Sequence, residues 1–132
     1  MQTPSDEQEV RAIIERWSQA VRDEDRAGIR GDHDPDILMF DVPLPLQSQG
    51  LDAYMSTWDV FFPRAEKPVT FNFTDVRVTS GNDVAFATAI GRCVDIDPSG
   101  KREELTFRLT MGLRKINGRW RITHEHHSLP AV

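Results

Sequence analysis

The feature that most constrains the fold is a predicted β-hairpin at residues 105–128, LTFRLTMGLRKINGRWRITHEHHS. Asn117-Gly118 separates two runs with strand character. Both residues tolerate positive φ at low cost, so this pair is a strong hairpin signal. The C-terminal part of the chain is therefore expected to form a long antiparallel ladder.

The second strand of this hairpin carries three of the four histidines in the chain. Successive side chains of a strand point to opposite faces. Glu125 and His127 therefore share one face, and His124 and His126 share the other. Only one of these two pairs can face any single cavity.

The turn decides which residues accompany Glu125 and His127. A two-residue turn at Asn117-Gly118 places Thr110 and Arg108 opposite them and makes that face polar. A three-residue loop with a bulge at its glycine slips the register by one residue. The second arrangement gives one shared face to Phe107, Leu109, Met111, Thr123, Glu125 and His127. The residues themselves leave both arrangements open.

Composition places the chain among single soluble domains spanning residues 1–132, because 39% of its residues are hydrophobic and 28% are charged. No apolar run approaches the roughly 18 residues of a membrane span. The polar N-terminus does not resemble a signal peptide, so a cytoplasmic protein is expected. A net charge of −5 with scattered basic residues argues against nucleic acid. The single Cys93 is expected to be a packing residue, with a nucleophilic role as the alternative.

Helical spacing and caps predict three helices, at 5–22, 26–30 and 51–62, the first capped by Ser5 and Gln8 and the last ended by Pro63. Strand character predicts five strands, at 37–42, 69–79 and 83–95 and in the two arms of the hairpin. This order predicts an α+β fold, with three N-terminal helices packed on a curved, mostly antiparallel sheet.

One predicted strand has a face of very small side chains, formed by Ala85, Ala87, Ala89 and Gly91. Such a face leaves room for a ligand beneath the helices. The alternative is that helix aromatics fill the room and plug it, which would suit a structural oligomerisation domain. The candidates for that filling are Trp17, Trp58 and Phe62.

The segments EVRAIIERW, ILMFDVP and GRWRITHEHHS, in this element order, resemble the nuclear transport factor 2-like superfamily. The most similar branch is the ketosteroid isomerase-like and SnoaL-like small-molecule branch. The resemblance implies a cone-shaped α+β roll with cystatin-like topology. It leaves the activity open, because this scaffold hosts isomerases, cyclases, hydrolases, dehydratases, oligomerisation hubs and binders.

The resemblance also implies roles for particular residues. Asp41, followed by Pro43 and Gly50, matches the general-base aspartate of ketosteroid isomerases. The oxyanion-stabilising tyrosine of those enzymes falls on Trp17, and their second acid falls within 107–111, where no carboxylate exists. Steroid isomerase activity proper is therefore not expected.

In related hub domains, the residue matching His127 faces the cavity. The resemblance thus favours Glu125 and His127 as inward-facing partners of Asp41, and it favours the bulged turn. The substrate-binding residues expected on this basis are Trp17, Tyr54, Trp58, Phe62, Ala87, Leu109 and Met111. A homodimer is expected through an outer sheet face formed by Phe86, Ile90, Trp120, Ile122, His124 and His126.

Two hypotheses for function follow. The first is an isomerase- or lyase-like enzyme, with Asp41 as general base and His127 or Glu125 assisting, that acts on a small apolar molecule. No phosphate loop, dinucleotide fingerprint or metal motif is present in the sequence, so no cofactor is expected. The second is a non-catalytic homodimeric module that binds a ligand or serves as an accessory.

Overall fold

The computed structural model describes residues 4–131 and contains three helices and six strands. The helices are α1 (Asp6–Arg22), α2 (Arg26–Gly31) and α3 (Leu51–Arg64). The strands are β1 (His33–Phe40), β2 (Ser48–Gln49), β3 (Phe71–Ser80), β4 (Val84–Ile96), β5 (Arg102–Ile116) and β6 (Arg119–Ser128). Each predicted element is present, but β1 begins four residues before and ends two residues before the predicted range 37–42, and the short β2 is an addition.

Helix α1 begins at the predicted capping box. The backbone N–H of Gln8 donates to Ser5 Oγ at 3.1 Å, and the backbone N–H of Ser5 donates to Gln8 Oε1 at 2.8 Å. One face of the helix, with Trp17 near its centre, is buried. The Trp17 ring packs edge-on against Phe71 of β3, with 5.3 Å between ring centroids. The helix is thereby fixed against the sheet.

Helix α3 continues two residues past its predicted end at Phe62 and ends at Arg64. The backbone N–H of Ala65 donates to the carbonyl of Phe61 at 3.0 Å and closes the last turn. A proline in this last turn removes one backbone donor without ending the helix at once. None of the helices in residues 4–131 is both long and apolar enough to cross a membrane.

The six strands form one sheet in the order β2-β1-β6-β5-β4-β3. Strand β1 runs parallel to β6, whereas every other neighbouring pair is antiparallel. The parallel pair places Met39 opposite Glu125 and Phe40 opposite His126. The loop that follows β1 therefore begins beside the end of β6.

The hairpin turn has two residues. Ile116 pairs with Arg119, while Asn117 and Gly118 have φ angles of 51° and 78°. Positive φ at both central residues is the signature of a type I′ turn. The three-residue loop that the resemblance favoured is therefore wrong.

A bulge nevertheless shifts the register within the strands. Leu113 pairs with Ile122 and Gly112 pairs with His124, so Thr123 is an extra residue with no partner opposite. Its hydroxyl donates to the Gly112 carbonyl at 3.3 Å. One inserted residue reverses the facing of every residue that follows it.

Beyond the bulge, Met111 pairs with Glu125 and Leu109 pairs with His127. All four side chains are buried on the inner face of the sheet. The inner face expected from the register slip is thus confirmed for these residues, although the slip arises at Thr123 and not at the turn.

The bulge also corrects the predicted outer face. Trp120 and Ile122 lie on the inner side, with 2% and 0% of their surface exposed. Before the bulge the even-numbered residues of β6 face inward, and after it the odd-numbered ones do. Phe86 and Ile90 do lie exposed on the outer face. The homodimer stays a prediction, with a smaller apolar contact than expected.

The small-residue face of β4 does not form a cavity. Ala85, Ala87 and Ala89 are buried in the hydrophobic core. The Phe107 ring covers Gly91 so closely that a Cβ atom there would lie 2.3 Å from the ring. The room left by the missing side chain is filled by Phe107 of β5, and not by a helix aromatic as the alternative supposed.

This packing predicts a large effect of Gly91→Ala. The added methyl group must displace Phe107, so the free energy of unfolding should fall by about 1–3 kcal/mol. Gly31→Ala is the matched control, because a Cβ atom at Gly31 meets nothing within 4 Å. It should leave the free energy of unfolding unchanged or raise it by up to about 1 kcal/mol, because Gly31 is helical. Urea unfolding of both variants measures the difference, and equal stabilities would contradict the packing.

Candidate active site

A cavity of about 740 Å³ opens between α3, the loop after β1 and one end of the sheet. Its volume lies within the range typical of small-molecule sites. Four aromatic side chains contribute to its wall, namely Trp58, Phe61, Phe71 and Phe107. Apolar loop residues complete the wall, namely Val42, Pro43, Leu44 and Pro45. The cavity is therefore suited to a molecule with mostly apolar surface.

Asp41 and His127 meet at the wall of this cavity. Asp41 directly follows β1 and His127 lies in the neighbouring β6, so the parallel pairing of the two strands brings them together. Asp41 Oδ1 lies 3.4 Å from His127 Nδ1. The Asp41 side chain is 24% exposed and the His127 side chain is 10% exposed. Both side chains line the cavity and can be reached from it.

Glu125 lies behind His127 and is fully buried. Its Oε1 accepts a hydrogen bond from His127 Nε2 at 3.0 Å and one from the Tyr54 hydroxyl at 3.2 Å. Its Oε2 contacts His33 Nε2. Glu125 does not line the cavity, so it can influence a bound molecule only through His127.

His33, at the start of β1, extends this arrangement into the core. Its Nδ1 donates to the backbone carbonyl of Ile29 at 2.6 Å, and its side chain is fully buried. We call the connected groups Asp41, His127, Glu125 and His33 the acid–imidazole chain. The sequence prediction missed His33, because it lies 92 residues from Glu125 and contacts it only through the parallel pairing of β1 with β6.

The acid–imidazole chain holds opposite charges in its interior. Burial disfavours the charged form of His127, but hydrogen bonds and charges of Asp41 and Glu125 outweigh it and raise the His127 pKa to about 9. Burial likewise opposes ionisation of Glu125, yet His33 and His127 outweigh it and lower the Glu125 pKa to about 2. Burial and the Glu125 charge raise the Tyr54 pKa well above its ordinary value. At neutral pH the acid–imidazole chain therefore contains a carboxylate at Glu125 and an imidazolium at His127.

Cys93 also lines the cavity, but its thiol is unreactive at neutral pH. Burial, followed by the charges of Asp95 and Asp41, raises the Cys93 pKa to about 11. Only the thiolate is a good nucleophile. The geometry therefore supports the packing role expected for Cys93 over the nucleophilic alternative.

Only Trp58 among the expected substrate-binding residues lines the cavity. The other six lie in the core, namely Trp17, Tyr54, Phe62, Ala87, Leu109 and Met111. On α3 the buried residues Tyr54, Trp58 and Phe62 are spaced four apart and face the core. The adjacent stripe, which includes Ala53, Thr57 and Phe61, lines the cavity. Both stripes contain apolar residues, so the sequence pattern did not separate the core-facing residues of α3 from the cavity-facing ones. Because the cavity stays open beside Trp58, the alternative of a cavity plugged by helix aromatics is not observed.

The outer-face histidines are separate from this site. His124 Nδ1 donates to the Leu38 carbonyl at 2.7 Å, and His126 is exposed. Within residues 4–131, no three His, Cys, Asp or Glu side chains are grouped so that they could hold a metal ion.

The shifted pKa values predict how stability depends on pH. The His127 pKa rises from 6.5 to about 9 on folding, so its contribution is complete below pH 6.5 and is lost as the pH rises through about 9. The Glu125 pKa falls from 4.5 to about 2, so its contribution is complete above pH 4.5 and is lost as the pH falls through about 2. Both contributions are complete between pH 4.5 and 6.5.

Urea unfolding from pH 5 to 10 measures this dependence. The wild-type free energy of unfolding should decline above pH 6.5, and His127→Gln should flatten that decline. His126→Gln is the control, because this exposed imidazole has no partner in the acid–imidazole chain. A wild-type decline that persists unchanged in His127→Gln would contradict the proposed charge pairing.

Comparison with known proteins places this chain in a family. Residues 10–132 match the sequence model of the SnoaL-like domain. A nuclear transport factor 2-like protein of unknown function from Pseudomonas putida KT2440 is 36% identical, with 94% of this chain and 86% of that chain covered and a TM-score of 0.83. No curated protein sequence matches the chain.

More distant structures share the fold. A protein from Caulobacter vibrioides with a cystatin-like fold is 18% identical, with 93% of this chain and 88% of that chain covered and a TM-score of 0.79. A protein named as a candidate dehydratase of the nuclear transport factor 2-like family, from Streptomyces avermitilis, is 16% identical, with coverages of 96% and 98% and a TM-score of 0.81. The α+β roll with cystatin-like topology is thereby confirmed, and the chain belongs to the SnoaL-like domain family of the nuclear transport factor 2-like superfamily.

Proposed function

We propose that this protein is an acid–base enzyme of the isomerase or lyase type, acting on a small, largely apolar molecule. The observation that carries the proposal is the pairing of Asp41 with His127, 3.4 Å apart, on the wall of an apolar cavity. Enzymes that move protons need such groups within reach of one bound molecule.

The two groups suit complementary tasks. The partly exposed Asp41 carboxylate can take a proton from a carbon atom of the substrate. The His127 imidazolium can give a proton to an oxygen atom on which charge develops, because its pKa of about 9 keeps it charged at neutral pH. One proton taken and one proton given is the balance of an isomerisation or of the loss of water.

The apolar wall supports this chemistry. Trp58, Phe61 and Phe107 exclude water from one side of the cavity, and electrostatic interactions are stronger in a medium of low polarity. The rim also carries an ion pair, with Arg64 Nη2 and Asp95 Oδ2 2.9 Å apart. The two carboxylates of the cavity thus have different partners. Asp95 pairs with Arg64, whereas Asp41 faces an imidazole.

The name of the Streptomyces avermitilis neighbour suits a lyase, but its 16% identity carries no assignment of activity. The competing function is a non-catalytic module that only holds an apolar ligand. It is favoured by the same wall and by Leu44, an apolar wall residue that is 91% exposed. Turnover of a probe that fits the cavity separates the two functions.

The probe is 5-nitrobenzisoxazole, a flat, largely apolar molecule. A base removes its single ring C–H proton, that electron pair forms the nitrile, and the N–O bond breaks to give a coloured phenolate. The wild-type protein should accelerate this reaction over buffer. Asp41→Asn should lower the rate by about 10²-fold or more, because the base is lost.

Asp95→Asn is the matched control, because Asp95 is 21% exposed in the same cavity but already pairs with Arg64. Its rate should remain close to that of the wild type. Binding of the probe is followed separately by the quenching of tryptophan fluorescence. Binding without any acceleration, or equal rates in both variants, would overturn the catalytic proposal in favour of the binding module.

A further inference from the structure

The buried end of the acid–imidazole chain has no role in the chemistry proposed above. We infer that His33 is a positioning residue: it holds Glu125 so that His127 carries a proton on Nε2 and presents Nδ1 to Asp41 and the cavity. This inference rests on the proposed function and deepens it, because it states which nitrogen of His127 meets the substrate.

The first step concerns the proton on His33. A backbone carbonyl can only accept, so the Ile29 oxygen fixes a proton on His33 Nδ1. His33 Nε2 and Glu125 Oε2 are in contact. Two lone pairs would repel each other there, so one proton lies between these two atoms.

The second step concerns the other oxygen of Glu125. Its Oε1 accepts from the Tyr54 hydroxyl and from His127 Nε2. Because the proton between His33 and Glu125 already lies at Oε2, Oε1 remains an acceptor. His127 must therefore carry its proton on Nε2 in both of its charge states. Its neutral form then has a lone pair on Nδ1, and its charged form donates from Nδ1 to Asp41.

The third step is the consequence of losing His33. Glu125 is fully buried, and a buried carboxylate without enough partners becomes protonated. A protonated Glu125 can donate to His127 Nε2. The neutral imidazole of His127 would then carry its proton on Nδ1, and the lone pair would face away from the cavity.

Within residues 4–131, the groups around His127 leave no other candidate for this role. Asp41 and Glu125 are the titratable groups in contact with it, and Cys93 is a neutral thiol in the same cavity. The rings of Trp17 and Phe107 flank the imidazole at 6.1 and 5.7 Å between centroids and carry no charge. Orientation by packing therefore comes from these rings, and the choice of tautomer comes from Glu125.

The test uses ¹⁵N-histidine labelling, since two-bond ¹H–¹⁵N spectra distinguish the tautomers of a neutral imidazole. Two variants separate the two hydrogen bonds of His33, because each variant can keep only one of them. His33→Asn keeps a donor where Nδ1 lies, facing Ile29, but does not reach Glu125. His33→Gln places its donor where Nε2 lies and can still reach Glu125. His126→Gln assigns an exposed imidazole and serves as the control.

In the wild type, neutral His127 should carry its proton on Nε2. In His33→Asn, the His127 titration midpoint should fall by at least about one pH unit and its tautomer should shift toward Nδ1–H. His33→Gln should restore much of the midpoint and the Nε2–H tautomer. Unchanged His127 spectra in His33→Asn would overturn the inference, and so would equal effects of the two variants.

If neither variant folds, the wild-type spectrum alone decides the matter: Nε2–H on neutral His127 supports the inference and Nδ1–H overturns it. The experiment needs no substrate, so it fails separately from the proposed function. Turnover lost only on Asp41→Asn, with an unaltered His127 tautomer in His33→Asn, would keep the enzyme and reject the role of His33. The predicted tautomers without any turnover would reject the enzyme and keep the role of His33.

Discussion

The structure depends on how the fully buried carboxylate of Glu125 is stabilised. An ion moved into a protein interior is costly unless donors surround it. Glu125 receives such donors from three separate elements: His33 at the start of β1, His127 in β6 and Tyr54 in α3. The same carboxylate thus ties a helix to two parallel strands, and it sets the charge of the imidazole that borders the cavity. Fold stability and site chemistry therefore share one group.

Two features of the sheet make this arrangement possible: a bulge in β6 and the parallel pairing of β1 with β6. Trp120 and Ile122 are large apolar residues at even positions of β6, whereas Glu125 and His127 lie at odd positions. A regular strand could turn only one of these pairs inward. The bulge at Thr123 turns both inward, so the first pair fills the core and the second reaches the site. Parallel pairing of β1 with β6 then supplies Asp41 at the end of the neighbouring strand.

Much of the fold could be predicted because its signals are local. The capping box at Ser5 and the turn at Asn117-Gly118 depend on neighbouring residues, and both are confirmed. Asp41 as a cavity residue came from the family resemblance and a proline-containing loop. The bulge at Thr123 could not be predicted, since nothing in its neighbourhood marks an unpaired residue. His33 was missed because its partner is brought to it only by long-range strand pairing.

The central claim is that Glu125 stays ionised inside the protein. The most direct measurement is the carboxyl ¹³C chemical shift of Glu125 in protein labelled at glutamate, assigned by comparison with Glu125→Gln. The account predicts the shift of a carboxylate at pH 7, unchanged down to pH 4.5, because the Glu125 pKa is lowered to about 2. The shift of a neutral carboxylic acid at pH 7 would contradict it, because Glu125 would then be no counter-ion for His127.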